Sequence, residues 1–189
     1  MQQVTNTILA FWFGGLDDAA AQVRQPFWFK STPETDAEIR ERFADTLVRV
    51  KNGEFDDVAE TSDDHLAIVI ALDQFPRNIH RNTPDAFATD PLARKWAAKA
   101  IERGMDMRQP APHRRMFFYL PFEHAEDIDD QNEAVRLFEK MGYDDFTDYA
   151  KAHRDVIAAY GRFPHRNAIL TRVSTKDEED YLSRPGAGF

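Results

Sequence analysis

At 189 residues, 42% of them hydrophobic, with 33 acidic against 24 basic side chains and a net charge of −9, the chain has the length and balance of one soluble globular domain. It contains no cysteine, which excludes disulfide frameworks, thiol nucleophiles, thiolate zinc sites and iron–sulfur ligation, and its acidity argues against nucleic acid as a partner. The longest apolar run, 66–72, falls far short of the roughly 20 residues that cross a bilayer, and the early run at 8–13 is too short for a secretory leader, so a cytoplasmic protein with no membrane partner is expected.

Helix signals run the length of the chain. Short helices are expected at 5–13 and 16–24. Thr35-Asp-Ala-Glu38 reads as a capping box for a helix that carries Ile39, Phe43, Leu47 and Val50 to a stop at Gly53. Ser62 is the expected N-cap of the next helix, apolar on every side over 66–72, hence central and buried, and ending before Pro76. Asp90 followed by Pro91 opens a helix that runs to Gly104, and a shorter one is expected over 113–120. The amphipathic stretches 129–141 and 144–160 stop at Gly142 and Gly161, and Ser174 caps a last short helix through Leu182. No stretch alternates with period 2. The class is therefore all-α: about ten helices packed as successive antiparallel pairs in a single domain over 1–184, with 185–189 as a C-terminal tail. Phe11-Trp-Phe13 returns as Phe27-Trp-Phe29, and these aromatic doublets read as packing elements.

Charge is placed unevenly. Segments 74–84, 107–122 and 161–173 hold eight arginines and no Asp or Glu, so an acidic protein keeps three cationic islands. The first, Leu72-Asp-Gln-Phe-Pro-Arg-Asn78, closes the buried helix. Asp73 follows seven apolar residues at a helix end that disfavours an anion, so it needs a cation or donor; Arg77, Arg114 or Arg162 qualifies. Arg77 and Asn78 either cap the helix end or face a ligand.

The second island, Gly161-Arg-Phe-Pro-His-Arg-Asn167, projects Arg162, His165, Arg166 and Asn167 from a turn stiffened by Pro164. That donor set suits a carboxylate or phosphate, whose oxygens match an arginine fork, or it neutralises helix ends and the acidic bulk. A third constellation, overlapping the island at 107–122, runs from Pro110 to Glu126. Tyr119 presents a hydroxyl from an apolar wall, and His124 with Glu126, beside Glu123, is the minimum pair for general acid–base work, or else a capping cluster. His153 lies on the apolar stripe of its helix within reach of the second island, either as a satisfied core histidine or as support for a site. No His-Glu-x-x-His or comparable spacing marks a metal site, and no phosphate loop or nucleophile elbow is present, so no cofactor is expected.

Taken together, Phe11-Trp-Phe-Gly14, Trp28-Phe29, Leu72-Asp-Gln-Phe-Pro-Arg-Asn78, Phe117-Phe-Tyr-Leu-Pro-Phe-Glu-His124 with Glu126, and Gly161-Arg-Phe-Pro-His-Arg-Asn167 resemble the bacterial family known as domain of unknown function 924. The resemblance spans about residues 8–182. It implies an all-α, tetratricopeptide-like right-handed stack of helix pairs and no established activity, substrate or cofactor.

The expected function is binding of a small anionic ligand, or an anionic group of a peptide segment, in one pocket formed by Asp73, Arg77, Asn78, Arg114, Tyr119, His153, Arg162, His165, Arg166 and Asn167. A hydrolase or lyase using His124 and Glu126 is one alternative. A non-catalytic tetratricopeptide-like interaction scaffold is the other, and a homodimer is compatible with either.

Overall fold

The local chemistry that starts and stops each helix is visible in a computed structural model that describes residues 1–110 and 112–188. The helices are α1 (Gln2–Phe13), α2 (Asp18–Ala21), α3 (Pro33–Lys51), α4 (Ser62–Asp73), α5 (Phe75–Ile79), α6 (Asp90–Glu102), α7 (His113–Glu123), α8 (Ile128–Met141), α9 (Asp144–Tyr160) and α10 (Lys176–Leu182). Single 3₁₀ turns lie at Pro26–Trp28, Pro84–Phe87, Asp106–Arg108 and Pro164–Arg166, and no strand occurs among the described residues. The all-α class expected from the periodicity holds.

Several caps fall within a turn of the expected residue. Thr32, not Thr35, caps α3, with Pro33 at its first position. Thr61 and Asp64 form the capping box of α4, while the Ser62 hydroxyl donates to the Met105 carbonyl at 2.7 Å. Thr175 and Glu178 do the same for α10. The short helix expected over 16–24 is confined to α2, and α7 continues through Pro121 to Glu123. A proline this near the end removes one donor, and the remaining turn keeps helical geometry.

By backbone proximity the chain divides into two compact units, Met1–Arg81 with Asp85–Pro121, and Asn82–Pro84 with Phe122–Phe189. In the first, α4 is the centre, packed against α1, α3, α5 and α6, with Leu66 to Leu72 all buried. The aromatic doublets meet there. The Trp28 Nε1 donates to the Trp12 carbonyl at 2.9 Å, the two indoles stack at 6.5 Å, and Phe117 meets Trp12, Phe13 and Trp28 edge-on. Each fully buried ring of this kind contributes about 1.5–3 kcal/mol by leaving water.

The second unit is built on the α8–α9 hairpin. Gly142 adopts φ 80°, a left-handed conformation that glycine takes without strain, and so turns the chain sharply between the two helices. Val156, Ile157 and Phe163 form a core under α9, with Tyr160 and Tyr181 packed on it, and α10 rests on the Pro164–Arg166 turn.

Candidate functional site

In the first unit the basic islands are engaged by carboxylates. Arg77 donates to the Asp73 carbonyl and, through both terminal nitrogens, to Asp90 at 2.8 and 3.0 Å. The Asp73 carboxylate, fully buried, lies 3.5 Å from the same guanidinium and accepts from the Gln74 amide at 2.6 Å. Burial works against the Arg77 charge, and the two carboxylates outweigh it. Asn78 and Arg81 converge on Asp36: burial raises that carboxyl, but the hydrogen bonds from Arg81, Asn78 and Ser31 overcome it and bring it to about 2. Arg114 is buried against Gln109, the Leu16 carbonyl and Asp63 at 3.3–3.5 Å, and the Tyr119 hydroxyl donates to Asp106 at 2.8 Å. Arg77 thus meets the last turn of α4 at the Asp73 carbonyl, whereas Asn78 is tied through its side chain to Asp36 and Ser31.

The second unit gathers His124, Glu126, His153, Arg162, His165, Arg166 and Asn167. Its loop 161–173 is tied at both ends. Arg162 forks onto Glu178 at 2.6 and 2.8 Å, and Asn167 donates to Ser174 and to Glu178. Glu126, expected to orient the His124 ring, instead accepts the Phe163 amide at 2.8 Å and a forked pair from Arg172. Burial pushes the Glu126 carboxyl up, and these donors more than reverse it, so Glu126 is held as an anion and is unsuited to giving up a proton near neutrality. Thr171, a β-branched residue at φ 54°, is kept in the left-handed region just before Arg172 enters this network.

Inside that frame lies a cluster of bases around Phe163. The His153 ring is 5.7 Å from the Phe163 ring, the His165 ring is 5.5 Å from it, and the Arg166 guanidinium sits 4.5 Å over it. His153 is buried, and its Nδ1 lies 2.9 Å from the Tyr149 carbonyl and 3.5 Å from the Glu123 carboxylate. Both neighbours are acceptors, which assigns the proton to Nδ1. Burial drives His153 down to about 3; His124, Arg166 and His165 add to that, while the Tyr149 bond opposes it and Glu123 lies close enough to oppose it as well. His165 is lowered to about 4, first by burial, then by Arg166, with Arg172 and His124 adding and Glu126 opposing. His124 and Arg166 thus both act against the charge of His153 and His165.

Glu123, Arg172 and Glu178 carry more of this geometry than their sequence context suggests. Glu178 is legible as the third residue of a capping box, and Arg172 as a member of an acid-free segment, but their partners are not. Among the described residues no group of three or more His, Asp or Glu side chains is placed to hold a metal ion, and no helix is long and apolar enough to cross a membrane.

A family model described as a bacterial protein of unknown function, DUF924, matches residues 8–186. The chain belongs to the DUF924 family. The motifs around Trp12, Asp73, Tyr119 and Arg166 that carried the resemblance all lie inside the matched region. Among solved structures, the protein of unknown function ATU0120 from Agrobacterium tumefaciens is 39% identical, with a TM-score of 0.86, over 96% of this chain and 98% of that one. No curated protein matches.

Proposed function

We propose that this DUF924 protein binds a small anion, a carboxylate or phosphate carried by a metabolite or displayed on a peptide, against His124, His165 and Arg166 of its second unit. The observation that supports the reading is the gathering of His153, His165 and Arg166 around the Phe163 ring. His124 and Arg166 both lower the proton affinity of His153 and His165, and Glu126 and Glu178 are bound by Arg172 and Arg162. An anion placed among them favours the charged imidazoles, and the guanidinium supplies a fork matched to its oxygens. His124 and His165 are half-buried, at the edge of the cluster, and the tied loop supports preorganised donors. With it we infer a tetratricopeptide-like pairing of helices, on the example of the α8–α9 hairpin, and a cytoplasmic location, in keeping with a chain free of cysteine.

Inorganic phosphate is the probe. At ten times its dissociation constant it stabilises the folded state by about 1.4 kcal/mol, a rise of roughly 3–5 °C in melting temperature. The rise is expected to be larger at pH 6 than at pH 8 and to vanish in Arg166→Ala. An unchanged melting temperature at pH 6 with phosphate, sulfate and citrate alike rejects the reading and leaves a scaffold without an anion site.

A further inference from the structure

The segment after α10 folds back onto the base cluster. Arg184 and Ala187 amides donate to the Tyr181 and Arg184 carbonyls at 3.1 Å, and Gly186 and Gly188 take φ 79° and 80°. The Gly188 backbone approaches His165 so closely that a Cβ on it would lie 3.0 Å from the histidine Cβ and 3.4 Å from its Cγ. The Gly188 amide donates to the Tyr181 hydroxyl at 3.3 Å, near the long limit of such a bond.

Pro185, Gly186, Ala187 and Gly188 bring almost no apolar side chain to bury, and Arg184, Pro185 and Gly186 are exposed. A segment held by a few solvent-accessible backbone bonds opens at small free energy, whereas α10 is pinned by its capping box and by the Arg162–Glu178 fork. The side chain covered at one end of this loose segment is one of those assigned to the anion. Glycine at 188 is what permits the approach, since any side chain there meets both a left-handed backbone and the His165 ring.

We propose that residues 184–188 are a displaceable strap over the His165 side of the anion site, closed in the free protein and lifted when the anion enters. The inference rests on the anion-site reading given above. A closed strap weakens the apparent affinity by the fraction of time the site is open, so a strap open about one-tenth of the time masks about tenfold. By reciprocity, an anion that favours the open site also loosens the strap.

Two variants of the full chain release it while His124, His165 and Arg166 stay unsubstituted. Gly188→Val introduces the clash and the backbone strain, and Tyr181→Phe removes the hydroxyl that accepts the Gly188 amide while keeping the ring packed on Tyr160. Calorimetric titration with inorganic phosphate at pH 6 is expected to give severalfold to tenfold tighter binding in Gly188→Val and a smaller gain in Tyr181→Phe. Adding Arg166→Ala to Gly188→Val should abolish it. In the unaltered chain, phosphate is expected to speed amide hydrogen exchange at 186–188. Equal affinities in all three chains, with exchange at 186–188 unmoved by phosphate, overturn the strap and leave the anion site standing. Tighter binding that survives Arg166→Ala places the phosphate elsewhere and overturns the strap too. Absence of binding in every chain removes both the site and its cover.

Discussion

Replacing Arg77 with methionine is expected to lower folding stability by about 4 kcal/mol, within the range found when one partner of a buried ion pair is removed. Arg77 bridges Asp73, which is fully buried, and Asp90, whose side chain is 10% exposed. Methionine fills the volume but withdraws the cation shared by two buried carboxylates, and it also deprives the end of α4 of the donor on the Asp73 carbonyl. Adding Asp73→Asn to Arg77→Met should restore part of the loss, with a coupling of about 1–3 kcal/mol in a double-mutant cycle. Urea unfolding monitored by far-ultraviolet circular dichroism measures all four chains. A loss below about 1 kcal/mol in Arg77→Met, in the range of an exposed pair, is incompatible with Arg77 as the internal tie of this helix end.

Acidification provides the second large effect. His153 and His165 have folded values of about 3 and about 4, below the ordinary 6.5 of an imidazole. Between pH 6.5 and those values the unfolded chain takes up protons that the folded chain refuses. Their contribution to stability is therefore complete above about pH 6.5 and is lost as the pH falls. At 1.36 kcal/mol per unit, each imidazole removes about 2 kcal/mol by pH 5. His65 and His113, also lowered by burial, steepen the slope. The carboxyls of Glu178 and Asp36, both held near 2, lose their contribution only below about pH 4.5, so the window from pH 7 to 5 belongs to the histidines. His165→Gln should reduce the slope there by about 1 kcal/mol per pH unit, and millimolar phosphate should flatten it in the unaltered chain. A slope identical in His165→Gln removes His165 from the suppressed cluster.

The contrast between what the sequence discloses and what it hides follows from the range of each interaction. α9 is legible to the residue because Asp144, the apolar stripe and Gly161 mark the same start, face and stop. The caps of α3, α4 and α10 slip because Thr and Ser occur at several candidate positions within one turn, and for α4 the decision is tertiary: the Met105 carbonyl claims the Ser62 hydroxyl and leaves Thr61 to cap. The arginine islands are legible as clusters. Their carboxylates are not, since Asp90, Glu178, Asp36 and Glu126 stand 13, 16, 45 and 46 residues from Arg77, Arg162, Arg81 and Arg172. Segments without Asp or Glu in sequence acquire them in space, which is why charge read along the chain overstates how many arginines face solvent. The gathering of His153 and His165 around Phe163 has the same origin, for nothing local in the helix that carries His153 announces that neighbour.

The tie between Glu126 and Arg172 has a consequence for the order of folding. The α8–α9 hairpin closes through contacts between sequence neighbours, the kind that form early, whereas this tie closes a loop of 46 residues and falls late. Interactions made after the rate-limiting step slow escape from the native state without hastening arrival. Arg172→Ala should thus accelerate unfolding in urea jumps and leave the refolding arm of the chevron nearly where it was. The loop that frames the base cluster would then act as a latch, contributing to the lifetime of the folded second unit more than to the speed with which it is reached.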